Sequence, residues 1–244
     1  MGVPSNKAQW QPTIPIDQSI YEASTTQLAP LGTRLEVGDR VFYYTWCSAS
    51  AGRGIIIGAA APVASHNGAL CIFAATSAGV STPTITAGVA ITANYYAEGY
   101  VGISKGTMGG ATYRIKSHPA IGSAGTGTLS LYDALYDDVA AADECGLTKN
   151  IYSAPIVGST AKPTVGMPMV DVAAGSYAWL QTYGPAAPVN SGATAAAWPV
   201  RVDNTGGVEL FIGTATIGCE FVGINYNLAG TAAEFTPIFL TIRP

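Results

Sequence analysis

Charged residues are scarce in this sequence. Lys, Arg, Asp and Glu make up 11% of its 244 residues, against about 25% in an average soluble domain. A surface so poor in charge tends to associate, and we expect much of it to be covered by a partner or by further copies of the chain. The formal net charge of −4 supplies no basic patch for phosphate contacts, which argues against a nucleic-acid partner.

Long apolar segments are missing as well. The longest run, Ile55 to Ala61, is broken by Gly58 and stopped by Pro62, far short of the roughly 20 residues of a membrane-spanning helix. The first residues lack the apolar region of a signal peptide, and Asn6 stands where a myristoylation signal has Ser or Thr. We therefore expect a soluble protein, made in a cytoplasm, with no membrane partner.

Cysteine is rare and its spacing carries no metal motif. Cys47, Cys71, Cys145 and Cys219 are far apart in the chain, which excludes a zinc knuckle. Disulfides are possible but not required, and buried free thiols are the default expectation. The sequence also has no Walker loop, no dinucleotide-binding glycine motif and no H-E-x-x-H. We expect no cofactor and no bound metal.

Glycine and proline are abundant, at 29 and 15 residues. Both are poor helix formers, and their dispersal among Ala, Val, Ile and Tyr favours short strands joined by tight turns. The prediction is an all-β protein of short-strand sandwich or barrel units, possibly two, preceded by an extended N-terminal arm. The predicted strands lie near 35–47, 54–58, 69–75, 84–93, 99–104, 112–117, 126–132, 197–203, 207–213, 219–226 and 236–243.

The most strand-like stretch runs from Gly175 to Pro185. Tyr177 and Trp179 alternate with Ala178 and Leu180, so the two rings point to one face of a pleated strand and the aliphatic residues to the other. We expect Gly184-Pro185 to end the strand and the run 170–174 to be its hairpin partner. The rings are predicted to be sheet core, with a sugar-stacking platform as the alternative.

Residues 1–34 are predicted to form an arm, because their four prolines forbid a continuous helix. Its spaced hydrophobic anchors include Trp10, Ile14, Ile16 and Tyr21. We expect them to contact a neighbouring subunit or another protein; the alternative is that they pack on their own domain. The rest of the chain divides into a first β domain (35–132), an acidic connecting loop or short helix (133–149) and a second β domain (150–244), or forms one composite β domain (35–244).

Two patterns could carry chemistry. Gly102-Ile-Ser-Lys-Gly106 fits the nucleophile elbow of hydrolases, which needs a strand-to-helix turn and a histidine near Ser104. The glycine-rich sequence that follows has no helical period, and of the two histidines only His118 lies near in sequence. The acids Asp133, Asp137, Asp138, Asp143 and Glu144 could bind calcium, but their spacing is not that of an EF-hand and a solvated face explains them better. Neither pattern predicts an enzyme.

Four blocks of sequence resemble a known family. They are Tyr113-Arg-Ile-Lys-Ser-His-Pro-Ala120, Leu129-Ser-Leu-Tyr-Asp-Ala-Leu135, Asn150-Ile-Tyr152 and Tyr177-Ala-Trp-Leu-Gln-Thr-Tyr-Gly-Pro-Ala186. In this order they resemble virion proteins of tailed bacteriophages, of the kind described as head decoration or capsid cement proteins. The resemblance covers roughly residues 95–244, and it departs from the family pattern at Asp133-Ala-Leu135, where Asp-Pro-Leu is expected.

The resemblance implies a structural role without catalytic residues. Decoration proteins clamp capsid subunits from outside, usually as trimers, so it implies the major capsid protein as partner, a homo-oligomer and a place on the capsid exterior. The arm residues Trp10, Ile14, Ile16 and Tyr21 would then grip the capsid or a neighbouring copy. A tail, neck or fibre component that reads a carbohydrate receptor is the alternative.

Overall fold

The protein is described by a computed structural model over residues 18–157, 162–211, 220–227 and 229–243. It is essentially all-β, with 44% strand and 1% helix, which confirms the predicted fold class. The strands are β1 (Ala23–Ser24), β2 (Arg34–Val37), β3 (Arg40–Cys47), β4 (Ile57–Gly58), β5 (Asn67–Phe73), β6 (Thr84–Ala87), β7 (Tyr100–Lys105), β8 (Thr112–Ser117), β9 (Gly125–Thr128), β10 (Ser130–Leu131), β11 (Glu144–Thr148), β12 (Ile156–Val157), β13 (Thr164–Pro168), β14 (Ser176–Ala186), β15 (Pro199–Val202), β16 (Val208–Leu210), β17 (Phe221–Asn225) and β18 (Ile238–Thr241).

The strands form two sheets. The large sheet is a half-barrel built from β1–β4 and β12–β18, with the order β12-β4-β13-β14-β18-β17-β15-β16 and with β1 and β3 also on β14. The inserted sheet consists of β5–β11, in the order β10-β8-β7-β11-β5-β6-β9. One 3-10 turn, Ala64–His66, leads into it. None of the described residues forms a helix long and apolar enough to cross a membrane.

The inserted sheet curls into a nearly closed barrel because one stretch of chain serves both of its edges. β9 pairs with β6, while β10, which follows almost directly, pairs with β8 at the other edge. Leu131 donates its N–H to the carbonyl of Ser81, and Tyr132 donates to Arg114. These bonds satisfy edge groups that would otherwise be open to pairing with another chain.

The large sheet is organised around β14. This strand pairs with β1, β3, β13 and β18. Its two faces alternate as predicted, because Trp179 packs with Phe42 and Tyr44 while Ala178 and Leu180 belong to a different core cluster. The prediction that the rings are sheet core is therefore confirmed for Trp179, which is 1% exposed.

Two expectations about β14 are wrong. The strand does not end at Gly184-Pro185 but continues to Ala186, and its residues from Tyr183 onward pair with β18. Its upstream partner is β13 rather than the run 170–174, from which Val172 bridges instead to Ala51. The glycine and proline are accommodated by a shift in register between Gln181 and Tyr183.

The predicted division into domains 35–132 and 150–244, which had one composite domain 35–244 as its alternative, does not coincide with the division into two sheets. β2–β4 lie in the same sheet as β12–β18, so the inserted sheet (β5–β11) lies in sequence between two segments that form one sheet. The predicted connecting loop 133–149 contains strand β11, which lies between β5 and β7 in the inserted sheet. The acidic residues before it form a loop and no helix.

Candidate interaction surface

The predicted arm is only partly described by the structure. Trp10, Ile14 and Ile16 lie outside the described residues. From Gln18 onward the chain packs on its own domain, since β1 pairs with β14 and Ile20 is buried against Trp179. This part of the predicted arm therefore belongs to the fold.

Gln18 is anchored to the large sheet by hydrogen bonds of its side chain and backbone. Its side-chain oxygen accepts a 2.8 Å hydrogen bond from the hydroxyl of Tyr44, and its amide nitrogen donates to the carbonyl of Tyr177. Its own carbonyl accepts from the indole N–H of Trp179. Burial raises the pKa of Tyr44, which keeps this hydroxyl protonated as a donor.

Tyr21 is the one predicted contact residue within the described part of the chain, and its side chain is available. It is 55% exposed, while the neighbouring Ile20 is 8% exposed. The turn around it is held by short-range bonds, because Tyr21 N–H donates to the hydroxyl of Ser19 and Ser19 N–H donates to Glu22. Tyr21 is therefore presented from a fixed backbone.

A row of apolar residues crosses the outer face of the large sheet. Pro185 of β14 lies opposite Phe239 of β18, Phe239 opposite Ile224 of β17, and Ile224 opposite Pro199 of β15. We call these four residues the outer row. None of them is buried, and Ile224 is 45% exposed.

The other face of the same strands is the core. Val200, Ile238 and Leu240, which alternate with the outer row, are completely buried in one cluster together with Val222. In an antiparallel sheet with one solvated face, apolar residues that point to the core normally alternate along each strand with polar residues that point to solvent. This part of the sheet is apolar on both faces, which is typical of a surface that is covered in an assembly.

Large exposed rings extend the outer row at its margins. Trp198 precedes β15 and Tyr226 follows β17, and the N–H of Asn225 bonds the carbonyl of Trp198, so the two rings stand at the same end of the strands. Trp198 and Tyr226 are 52% and 55% exposed, and Phe221 is 40% exposed. Aromatic residues of this kind dominate binding energies at protein interfaces.

One ion pair lies at the margin of this surface. Arg201, opposite Phe221 in the strand pairing, forms a 2.8 Å ion pair with Glu209 of β16. Both side chains are partly shielded, so the pair neutralises itself within the chain. The surface therefore offers apolar contact with a narrow polar margin, the usual anatomy of an interface.

An apolar cleft of about 230 Å³ lies between the two sheets. Residues 59–63 form one wall, and Tyr95 and Tyr96 form another. The ammonium group of Lys149 lies 3.6 Å from the centre of the Tyr95 ring, in a cation–π contact. The exposed lining of the cleft is mainly apolar.

The Gly102–Gly106 segment does not have the strand-to-helix geometry of a hydrolase nucleophile elbow. Ser104 lies inside β7, with turns after Lys105 and then β8, so no helix follows it. His118 accepts the backbone N–H of Tyr96 at its Nε2 and bonds the carbonyl of Pro119 through Nδ1. His66 bonds the hydroxyl of Tyr96 at 2.6 Å. Both histidines therefore hold the 95–96 segment in place.

The acidic side chains stabilise loops by accepting hydrogen bonds from backbone N–H groups. Asp143 accepts backbone N–H groups from Thr107 and Ala140, and Asp138 accepts from Ala78. Glu144 forms a 3.1 Å ion pair with Lys105. Within the described ranges, no group of three His, Cys, Asp or Glu side chains could hold a metal ion.

No family model matches this chain, and no curated protein or solved structure shows significant similarity to it.

Sequence reasoning missed the outer row. Its members come from four different strands, so no pattern within one strand connects them. A signal existed in the last strand, where Ile238, Phe239 and Leu240 are all apolar although a half-solvated strand would alternate. Only the strand register places Phe239 beside Ile224.

Proposed function

We propose that this chain is a structural protein of a tailed-bacteriophage virion, which decorates and stabilises the capsid from outside. It binds subunits of the major capsid protein and assembles as a homo-oligomer, with a trimer favoured. The outer row is the observation that supports a binding partner, because an apolar sheet face of this kind is stable when covered. The resemblance of the four sequence blocks supports the kind of partner.

The mechanism is mechanical and needs no reaction. Each contact buries apolar side chains such as Ile224, Phe239 and Trp198, and burial contributes roughly 25 cal/mol per Å² of apolar surface. Trp10, Ile14, Ile16 and Tyr21 of the arm add contacts to the capsid or to a neighbouring copy. Repetition over a lattice multiplies modest affinities into strong attachment.

The experiment is binding of the purified chain to capsids stripped of it, measured by co-sedimentation. Ile224→Lys places a charge in the outer row and is expected to weaken binding roughly 30-fold or more, the effect of losing an interface hot spot of about 2 kcal/mol. Leu70→Lys is the matched control. Leu70 is equally aliphatic and 54% exposed, but it lies on β5 of the inserted sheet.

A second arm of the experiment removes part of the N-terminus. Deletion of residues 1–17 is expected to leave the melting temperature unchanged and to weaken capsid binding. Deletion of residues 1–30 also removes Gln18, Ile20 and Ala29, which are buried in the fold, and is expected to lower the melting temperature. Wild-type binding by Ile224→Lys and by the 1–17 deletion together would overturn the proposal.

A carbohydrate-reading tail, neck or fibre component remains the second candidate. Trp198 and Tyr226 favour it, because exposed rings at one end of a sheet can stack on sugars. A glycan array separates the two proposals. Glycan binding that Trp198→Ala abolishes, combined with no binding to capsids, would favour the receptor-reading role.

A further inference from the structure

Two cysteines meet inside the inserted sheet. Cys71 on β5 and Cys145 on β11 have their sulfur atoms 3.1 Å apart. Both side chains are completely buried in the apolar core of that sheet. They are 74 positions apart in the chain, so their meeting is a product of strand pairing and nothing in their spacing indicates it.

The strand register explains why the sulfur atoms meet. β5 and β11 are antiparallel, and Ile72 lies opposite Glu144. Cys71 precedes Ile72 and Cys145 follows Glu144, and the register shifts at this point so that the backbone of Cys145 lies opposite Gly68. The irregular pairing at this point brings both side chains to the inner face.

We propose that Cys71 and Cys145 are a disulfide-forming pair, which closes when the protein meets a disulfide oxidant such as oxidised glutathione. The sulfur atoms need to approach by only about 1 Å to reach the roughly 2.05 Å of an S–S bond. This proposal is independent of the proposed function.

The reaction balances with one molecule of oxidised glutathione. The thiolate of Cys71 attacks a sulfur of the oxidant, which releases one glutathione thiolate and leaves a mixed disulfide. The thiolate of Cys145 then attacks the Cys71 sulfur of that mixed disulfide and releases the second glutathione. The two cysteines lose two electrons to the oxidant, and their two protons pass to the glutathione thiolates or to solvent.

The local chemistry favours Cys71 as the first nucleophile. The thiol of Cys145 donates a hydrogen bond to the sulfur of Cys71, which lowers the pKa of Cys71. Cys47 provides a contrast within the same chain. It is buried in the large sheet, where desolvation raises its pKa to about 11. Like Cys71 and Cys145 it is a free thiol in this structure.

The bond would change the stability of the inserted sheet. β6–β10 lie between the two cysteines in sequence, so the disulfide closes a covalent loop around most of the sheet. A link across so long a loop restricts the unfolded chain strongly. The oxidised protein is therefore expected to melt several degrees higher than the reduced protein.

The test equilibrates the full-length protein in mixtures of reduced and oxidised glutathione. Urea below the unfolding transition is included so that transient opening gives the oxidant access to the buried thiols. The intact mass is measured before and after alkylation, and the disulfide-linked peptides are then identified. We expect only two of the four thiols to be alkylated, an intact mass before alkylation that is two hydrogen atoms below that of the reduced protein, and one linked peptide pair containing Cys71 and Cys145.

Variants provide the controls. Cys47→Ala is expected to form the same linked pair, and Cys145→Ala to form none and to lose the difference in melting temperature between oxidised and reduced samples. The peptide map of the wild-type chain shows whether Cys71 and Cys145 are linked, even where a variant folds poorly. Four free thiols at high oxidised-to-reduced glutathione ratios, or linkage through a different pair, would overturn the proposal.

Discussion

At the scale of single residues, buried polar groups decide which loops keep their shape. Gly106 adopts a positive φ of 126°, and a Cβ at this position would meet the carboxyl carbon of Asp143 at 2.1 Å. The same carboxylate accepts N–H groups from Thr107 and Ala140. A carboxylate that accepts backbone donors in a tight turn stabilises that turn, and here only glycine leaves room for it.

The burial of His66 predicts that stability depends on pH. Burial lowers the pKa of His66, while the carbonyl of Ala90 opposes that shift. His66 is therefore neutral in the folded protein at a pH where the unfolded chain, with a pKa near 6.5, already binds a proton. Stability should be constant above that value and fall as pH decreases through the interval below it.

The measurement is urea unfolding at several pH values. Between pH 7.5 and about 6.5 the free energy of unfolding of the wild type should change little, and below that it should decline. His66→Gln cannot bind the proton, so its curve should start lower and decline less. Equal slopes in the two proteins would show that His66 does not carry the effect.

At the scale of elements, β14 holds the large sheet together. It pairs with four other strands, and Tyr183, beside the register shift, lies opposite both Val41 of β3 and Thr241 of β18. Gly184 permits the close approach of the chain just before β3. It has a φ of 91°, and a Cβ there would lie 2.3 Å from the carbonyl oxygen of Asp39.

Two glycines of this region form a matched pair for mutation. Gly175 has a φ of 80° and open space around its Cβ position, so Gly175→Ala should cost only the left-handed backbone penalty of about 1–2 kcal/mol. Gly184→Ala adds a collision with backbone, worth about 1–3 kcal/mol more. Equal free energies of unfolding for the two variants would contradict this role of Gly184.

β14 also shows where sequence reasoning succeeds and fails. The alternation of Tyr177 and Trp179 with Ala178 and Leu180 is local, so the strand and its two faces were predictable. Gly184-Pro185 predicts the end of the strand, because both residues usually interrupt strands. In the fold, the carbonyl of Pro185 accepts a 2.7 Å bond from the side chain of Gln181, and the register shift lets the pairing continue.

β11 was not predicted, for a related reason. Glu144–Thr148 follows an acidic loop and has only two strongly apolar side chains, Cys145 and Leu147. Its position is set by pairing on both sides, with β5 and with β7. Contacts of this kind involve residues tens of positions away in the sequence, so the local sequence pattern does not indicate them.

At the scale of the whole molecule, the inserted sheet and the large sheet present different outer surfaces. The inserted sheet closes almost fully on itself, whereas the large sheet is a half-barrel with an apolar outer row. The low charge of the sequence predicted a covered surface, and the register of β14, β18, β17 and β15 identifies a face suited to that role. The arm residues Trp10, Ile14 and Ile16 stay a prediction, because they lie outside the described residues.

The central claim is that many copies of this chain cover a phage capsid. Its most direct test is an electron cryo-microscopy reconstruction of the virion that contains the chain. The account predicts copies of 24.9 kDa on the outer surface of the head, arranged with the symmetry of the capsid lattice and with Ile224 and Phe239 facing the shell. Density confined to a neck or tail ring, or a head that lacks the chain, would contradict it.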